Sequence, residues 1–246
     1  EDSDTTIPDG AIYCQDSLTI NGTGNLTVSN EAGHGIVCKD ILKIMEGTIS
    51  VTAADSGIIG KDSLYVGDAD IFISCGTDGL KSDKEEEGKG YVLIEGGTVT
   101  MEAGDDGIHS ESGLFITGAD TSVTVTGSQE GLEGNHIVIT GGTISVMAED
   151  DGMNAAGESD QEIVITGGNM KVNAAGDGID SNGSIYMSDG ELILSGPIND
   201  GNGTIDYVNK FIMTGGILAG SGSSGMLQTI SSESSQYVIS YTQDTG

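Results

Sequence analysis

The sequence repeats itself about every 24 residues. In each repeat a small residue, usually glycine, stands directly before an apolar residue, and successive apolar positions are 21 to 28 residues apart. These positions are Ile12, Ile36, Ile58, Leu80, Ile108, Leu132, Met153, Ile179, Asn202 (the one polar member) and Met226. A period of this length indicates that one supersecondary unit is stacked on itself many times.

Within each repeat the apolar residues alternate with polar ones, which is typical of strands and not of helices. The segments 136–140 and 143–148 show this pattern, with a Gly-Gly corner between them. Each repeat therefore predicts three very short strands, and the whole chain predicts a right-handed parallel β-helix of three parallel sheets and about ten turns. We expect one domain over residues 1–246, in a natural chain that extends beyond both ends.

The charge of the chain excludes several classes of partner. It has 39 acidic residues against 8 lysines and no arginine, for a net charge of −31 at pH 7. Nucleic-acid binding needs a basic surface, so we expect none. No run of 18 apolar residues is present, so we expect no membrane insertion either. Charge of one sign opposes compact folding, and bound cations would relieve this repulsion.

Acidic residues recur in register with the repeat, one position before the glycine. They are Asp78, Asp106, Glu130, Asp151, Asp177 and Asp200, and their companions three positions later are Lys81, His109, Glu133, Asn154, Asp180 and Gly203. Carboxylates on adjacent turns would lie about 4.8 Å apart, so a Ca²⁺ ion with its oxygen ligands fits between two turns. The competing interpretation is that Asp-Gly is an ordinary turn sequence.

We therefore predict Ca²⁺ as the cofactor, bound between turns by carboxylate and amide oxygens. The predicted metal ligands are Asp105, Asp106, Glu130, Glu133, Asp150, Asp151, Asn154, Asp177, Asp180 and Asp200.

Two further sets of residues leave alternatives open. Cys14 and Cys38 fall at equivalent positions of adjacent repeats, which suits either stacked thiols or a disulfide. The seven tyrosines show no shared register, so we expect no aromatic strip on which a neutral glycan could stack. Capture of an acidic sugar through Ca²⁺ fits this composition better.

Five segments together resemble a known family. Four combine an acidic residue with Gly and an apolar residue, and the fifth is rich in Ser and Gly; they are Asp105-Asp106-Gly107-Ile108-His109, Glu130-Gly131-Leu132-Glu133-Gly134, Asp150-Asp151-Gly152-Met153-Asn154-Ala155, Gly176-Asp177-Gly178-Ile179-Asp180-Ser181-Asn182-Gly183 and Ser221-Gly222-Ser223-Ser224-Gly225-Met226. The set resembles the secreted bacterial carbohydrate-binding β-helix proteins related to pectate lyases. The resemblance implies a right-handed β-helix, bound Ca²⁺, and binding of cellulose and acidic sugars without demonstrated cleavage.

The sequence thus predicts a secreted bacterial monomer that binds plant cell-wall polysaccharide, with no catalytic residue. The first alternative is a Ca²⁺-dependent pectate lyase in which Lys81 is the base, since a lyase needs a group to remove a proton. We interpret Lys81 instead as a counter-ion, and His109 as structural. The second alternative is a structural adhesin or stalk whose Ca²⁺ ions only join neighbouring turns.

Overall fold

The computed structural model describes residues 9–157 and 160–243. Residues 1–8, 158–159 and 244–246 of the predicted domain lie outside the described residues. The described residues form 21 strands and no helix. Accordingly, no helix in them has the length and apolar character needed to cross a membrane.

The strands follow one another in chain order with these bounds: β1 (Gly10–Cys14), β2 (Leu18–Ile20), β3 (Asn25–Asn30), β4 (His34–Cys38), β5 (Ile41–Ala53), β6 (Ile58–Gly60), β7 (Ser63–Cys75), β8 (Leu80–Ser82), β9 (Tyr91–Ile94), β10 (Thr98–Glu102), β11 (Ile108–Ile116), β12 (Ser122–Gly127), β13 (Leu132–Ile139), β14 (Thr143–Ala148), β15 (Met153–Ala155), β16 (Glu162–Ala174), β17 (Ile179–Ser181), β18 (Ser184–Ser195), β19 (Ile205–Tyr207), β20 (Lys210–Met213) and β21 (Ile217–Ser221).

Every strand pairs in parallel with the equivalent strand of a neighbouring turn, which confirms the predicted parallel β-helix. The first sheet begins with the pairs β1–β4 and β4–β6, the second with β2–β5, and the third with β3–β5. The coil has about nine turns rather than ten. The predicted tenth position, Met226, lies outside any strand.

Several strands are longer than the sequence predicts, because they pass from one sheet into the next without a break. β5 and β7 each contain 13 residues and serve both the second and the third sheet. Their pairing continues through the corner, where Glu46 is opposite Asp68 and Gly47 is opposite Ala69. An uninterrupted hydrogen-bond ladder keeps the backbone groups of the corner paired.

The core consists of like residues stacked turn on turn. Ile36, Ile58 and Leu80 occupy one such stack and are fully buried. The glycine before each stacked residue is required by the close approach of the next turn. At Gly107, for example, a Cβ atom would lie 2.5 Å from the carbonyl oxygen of Gly131. This approach explains the recurring small residue in the repeat.

The cysteine pair is stacked as the repeat predicts. Cys14 is the register partner of Cys38, and both are free thiols in the structure. The Sγ of Cys38 donates to the carbonyl oxygen of Asp16 at 3.1 Å. Of the two arrangements left open by the sequence, the structure has the stacked thiols.

Candidate functional site

Two rows of polar side chains run side by side along the first sheet. The acidic row holds the residue before the glycine of each repeat and consists of Asp78, Asp106, Glu130, Asp151 and Asp177. Its register follows from the backbone, because the amide of Gly79 donates to the carbonyl of Asp106, and the amide of Gly152 donates to that of Asp177. The second row lies three residues further along each turn and consists of Lys81, His109, Glu133, Asn154, Asp180 and Asp206.

The prediction that Asp200 belongs to the acidic row is wrong. The residue that stacks on Ile179 is Ile205 and not Asn202, so Gly203 occupies the position in the row that was predicted for Asp200. The turn is three residues longer than the repeat suggested, and Asp200 lies exposed in the extra loop. Its Oδ1 accepts a hydrogen bond from the hydroxyl of Ser223.

Asp206 is a member of the second row that the sequence analysis missed. It pairs in register with Asp180, and its Oδ1 accepts a hydrogen bond of 2.5 Å from Nε2 of Gln228. The signal was present in the sequence, because the dipeptide Ile-Asp occurs at both 179–180 and 205–206.

At the N-terminal end of the acidic row, the chain supplies its own cation. Nζ of Lys81 donates to Oδ2 of Asp78 at 2.6 Å, and the Asp78 side chain is only 3% exposed. Burial lowers the pKa of Lys81, but the hydrogen bond to Asp78 and nearby carboxylates outweigh it and raise the pKa above its ordinary value. Lys81 is therefore a protonated counter-ion within the row.

One turn further, His109 lies between two carboxylates. Its Nδ1 is 2.9 Å from Oδ2 of Asp106 and 2.8 Å from Oε2 of Glu133. Burial alone would lower the pKa of His109, but these two carboxylates raise it to about 10. The hydrogen bond to His109 lowers the pKa of Glu133 to about 2, while burial raises that of Asp106 to about 7. The trio is thus built around an imidazolium ion.

The C-terminal part of the rows differs, because it brings carboxylates together without a cationic side chain. Oxygens of Asp151, Asp177 and Asp180, which we call the C-terminal cluster, lie within 4.8 Å of one another. Among the described residues, no ion pair involves any of the three. Burial, followed by mutual repulsion, raises the pKa of Asp151 to about 6 and that of Asp180 to about 7. Burial, together with repulsion from Asp206 and Asp150, also raises the pKa of Asp177.

The remaining predicted ligands lie around these clusters. Glu130 accepts a hydrogen bond of 2.8 Å from Nδ2 of Asn154, and burial raises its pKa. Asp105 is exposed and close to Asp78 and Asp106. Asp150 lies next to Asp151 at the edge of the C-terminal cluster.

The donor set of the C-terminal cluster fits a hard divalent cation. All of its ligand atoms are oxygens, which is the preference of Ca²⁺. The Oδ1 atom of Asn154, one turn before Asp180, is buried and has no hydrogen-bond donor in the described part of the chain. Space beside the carboxylates is kept by Gly176, since a Cβ atom there would collide with Oδ1 of both Asp150 and Asp151.

A shallow groove of about 420 Å³ runs beside the N-terminal end of the two rows. Val37, Ile59 and Lys81 line it along the second-row positions, and its rims carry Asp55 and Lys61. Lys61 is itself paired with Asp83 at 2.8 Å. The groove is therefore polar at its rims, with most of its lysine charge already paired.

Fold and site together define an acidic parallel β-helix with a row of carboxylates along one edge. Comparison with known proteins then identifies its family. A family model described as "Carbohydrate-binding domain-containing protein" matches residues 1–160 and 120–237. The chain therefore belongs to this family of carbohydrate-binding domain-containing proteins.

A relative from Acetivibrio thermocellus, also described as a carbohydrate-binding domain-containing protein, is 43% identical over 53 residues. That match spans 22% of this chain and only 18% of the relative's length. No solved structure matches the chain. These comparisons support a carbohydrate-binding role, and they leave the resemblance to pectate lyases as a hypothesis.

Proposed function

We propose that this protein is secreted by a bacterium and binds an acidic plant cell-wall polysaccharide, such as polygalacturonate, through Ca²⁺, without cleaving it. The observation that carries the proposal is the C-terminal cluster: three partly buried carboxylates with no cation of their own, in a chain of a carbohydrate-binding family.

The placement of the metal follows from the charges along the rows. Asp78 is neutralised by Lys81, and Asp106 shares His109 with Glu133. Asp151, Asp177 and Asp180 come together with no cationic side chain among the described residues, so we place the divalent ion there. These three carboxylates would hold the ion, with Oδ1 of Asn154 as a neutral oxygen donor nearby. The bound Ca²⁺ would supply positive charge for the carboxylate of the sugar.

The choice of an acidic glycan rests on electrostatics. A chain with a net charge of −31 repels a polyuronate, so direct contact is unfavourable unless a cation lies between them. Binding should therefore require Ca²⁺. Extracellular Ca²⁺ modules operate with dissociation constants of about 0.1–1 mM, which suits a protein that works outside the cell on wall polysaccharide.

A lyase with Lys81 as the base has less support. A base must be unprotonated to accept a proton, but the pKa of Lys81 is raised and its ammonium group is held by Asp78 at 2.6 Å. The turn that carries Lys81 is also three turns away from the turn that carries Asp151. The remaining alternative is a structural stalk, in which Ca²⁺ would stabilise the coil with no glycan bound.

The test is a pull-down on immobilised polygalacturonate in Ca²⁺ and in a chelator. We expect retention of the unmodified protein only in Ca²⁺, and loss of retention in Asp177→Asn. Asp70→Asn is the matched control, because Asp70 is an exposed aspartate on the third sheet, away from both rows. Equal retention of the two variants would place binding elsewhere on the coil. Ca²⁺-dependent thermal stability with no retention would favour the stalk.

A further inference from the structure

The outer face of the second sheet carries a continuous row of apolar and aromatic side chains, in which two of the seven tyrosines, Tyr65 and Tyr186, share a register. Each member lies between two buried neighbours, as Tyr65 does between Leu64 and Val66, so the row faces outward. This outward apolar row consists of Tyr65, Leu93, Phe115, Val138, Val164, Tyr186 and Ile212. Seven consecutive turns give it a length of about 29 Å at the usual strand spacing.

The fold does not require apolar residues at such outward positions. The equivalent outward row of the third sheet is mostly hydroxylic: Ser50, Phe72, Thr100, Thr124 and Ser145 follow one another there. The same coil is therefore built with a polar outer face on one sheet and an apolar one on another. An apolar row at this surface position indicates a site where a ligand or partner binds.

Near Glu95, at one end of the row, the polar groups are mainly hydrogen-bond acceptors. The hydroxyl of Tyr65 donates to Oε2 of Glu95 at 2.8 Å, at the wall of an open cleft of about 550 Å³. Glu46 and Asp68 on neighbouring turns also line this cleft, together with Asn21, and no Lys or His is among the described residues that line it. Such a cleft accepts hydrogen bonds from hydroxyl groups and repels anions.

The aromatic members are held in fixed orientations. Phe115 packs edge-on against Tyr91, with ring centroids 6.5 Å apart, and Nζ of Lys210 lies 5.6 Å from the centre of the Tyr186 ring. A pyranose ring has an apolar face and a rim of hydroxyl groups that donate hydrogen bonds. A rigid apolar strip with carboxylate oxygens at its side is complementary to such a ring.

We infer that the outward apolar row and the cleft at Tyr65 form a second glycan-binding surface, which takes a neutral polysaccharide chain lying along the coil without Ca²⁺. This inference rests on the proposed function in one respect only, which is that proteins of this family bind carbohydrate. At the cleft, Glu46, Asp68 and Glu95 repel uronates. A second copy of the chain is disfavoured as the occupant, because each copy brings a net charge of −31.

The experiment is calorimetric titration with cellohexaose and mannohexaose, two neutral oligosaccharides, in the presence of a chelator. We expect binding of at least one by the unmodified protein, and affinity lowered about tenfold in Phe115→Thr and in Tyr186→Thr. Threonine is the residue that the third sheet carries at equivalent positions, and two separate variants guard against one of them unfolding. Phe72→Thr is the matched control, since Phe72 is an aromatic residue, 45% exposed, on the outward row of the third sheet.

The inference is overturned if neither sugar binds, if both row variants bind normally, or if Phe72→Thr loses affinity equally. It is also overturned if neutral-sugar binding disappears in Asp177→Asn, or if sedimentation shows a dimer that only the row variants dissociate. The same proteins tested on polygalacturonate in Ca²⁺ report on the proposed function separately. If the protein does not bind polygalacturonate in Ca²⁺, the titrations with neutral sugars in chelator still test the inference on their own.

Discussion

His109 occupies the same place in its turn as Glu133 does in the next, and its Nδ1 atom lies 2.8 Å from Oε2 of Glu133. Because Asp106, three residues earlier in the same turn, is bonded to the same nitrogen, one imidazolium ion joins two carboxylates of neighbouring turns. The coil thus compensates its stacked charges with side chains at Asp78 and Asp106, and lacks such compensation at Asp151, Asp177 and Asp180. This contrast locates the proposed metal.

Removal of Ca²⁺ should destabilise the coil. A ligand present at about one hundred times its dissociation constant adds about 2.7 kcal/mol to the free energy of unfolding, which for a chain of this size is about 5–10 °C in Tm. Chelation should lower Tm by that amount in the unmodified protein and have little further effect in Asp151→Asn. In Asp70→Asn the shift on chelation should be normal. An unchanged melting curve after chelation would contradict the metal site.

The variant Gly176→Ala should weaken the metal site without replacing a ligand. Its new Cβ atom would collide with the carboxylate oxygens of Asp150 and Asp151 and with the backbone carbonyl carbon of Asp150, and displace them. We expect a lower Tm in Ca²⁺ and a smaller shift on chelation, both measured by calorimetry. Gly24→Ala is the control, because its Cβ would meet no atom within 4 Å. A full chelation shift in Gly176→Ala would show that this space is not needed.

Replacement of His109 by alanine should destabilise the protein by about 2–3 kcal/mol, because it leaves two partly buried carboxylates facing each other without their cation. Urea unfolding at pH 6 measures this change. His136→Ala should cost less than about 0.5 kcal/mol, since His136 is 35% exposed and 3.6 Å from Glu162. Equal effects of the two substitutions would refute the role given to His109.

The pH dependence of stability has a definite sign. His109 has a folded-state pKa of about 10 against an ordinary value of 6.5, so its stabilisation is complete below about pH 6.5 and is lost as the pH rises towards 10. Asp106, with a pKa raised by burial to about 7, also lets the folded state keep a proton that the unfolded chain has released. Glu133, with a pKa of about 2, acts in the opposite direction, below pH 4.5.

Urea midpoints measured from pH 6.5 to 10 should therefore fall for the unmodified protein and change less for His109→Ala. The difference in stability between the two should shrink as the pH rises. A difference that stays constant or grows over this range would mean that His109 is neutral in the folded protein.

The sequence predicts the coil well because one physical requirement recurs in every turn. The glycine before Ile108 must admit the carbonyl of Gly131, and this approach sets the register of Asp106, Glu130, Asp151 and Asp177 without reference to the structure. The prediction fails at Asp200, where a longer loop moves the register by three residues. Loop length is not constrained by the stacking, so the repeat alone cannot detect the shift.

The outward apolar row escaped prediction for a different reason. Val138 and Val164 stand in Ile-Val-Ile segments, where strand propensity hides the difference between inward and outward positions. Tyr65 and Tyr186 are five turns apart, so their shared register can be recognised only when the length of each of these turns is known. The sequence predicts a structural role for His109, but its position between Asp106 and Glu133 depends on side-chain geometry.

The central claim is tested most directly by incubating the unmodified protein with polygalacturonate, with and without Ca²⁺. Retention of the protein by the polysaccharide and ultraviolet absorbance of unsaturated product are followed in the same sample. The account predicts retention in Ca²⁺ only, with flat absorbance throughout. Rising absorbance that is lost in Lys81→Ala would contradict it and make the protein a lyase.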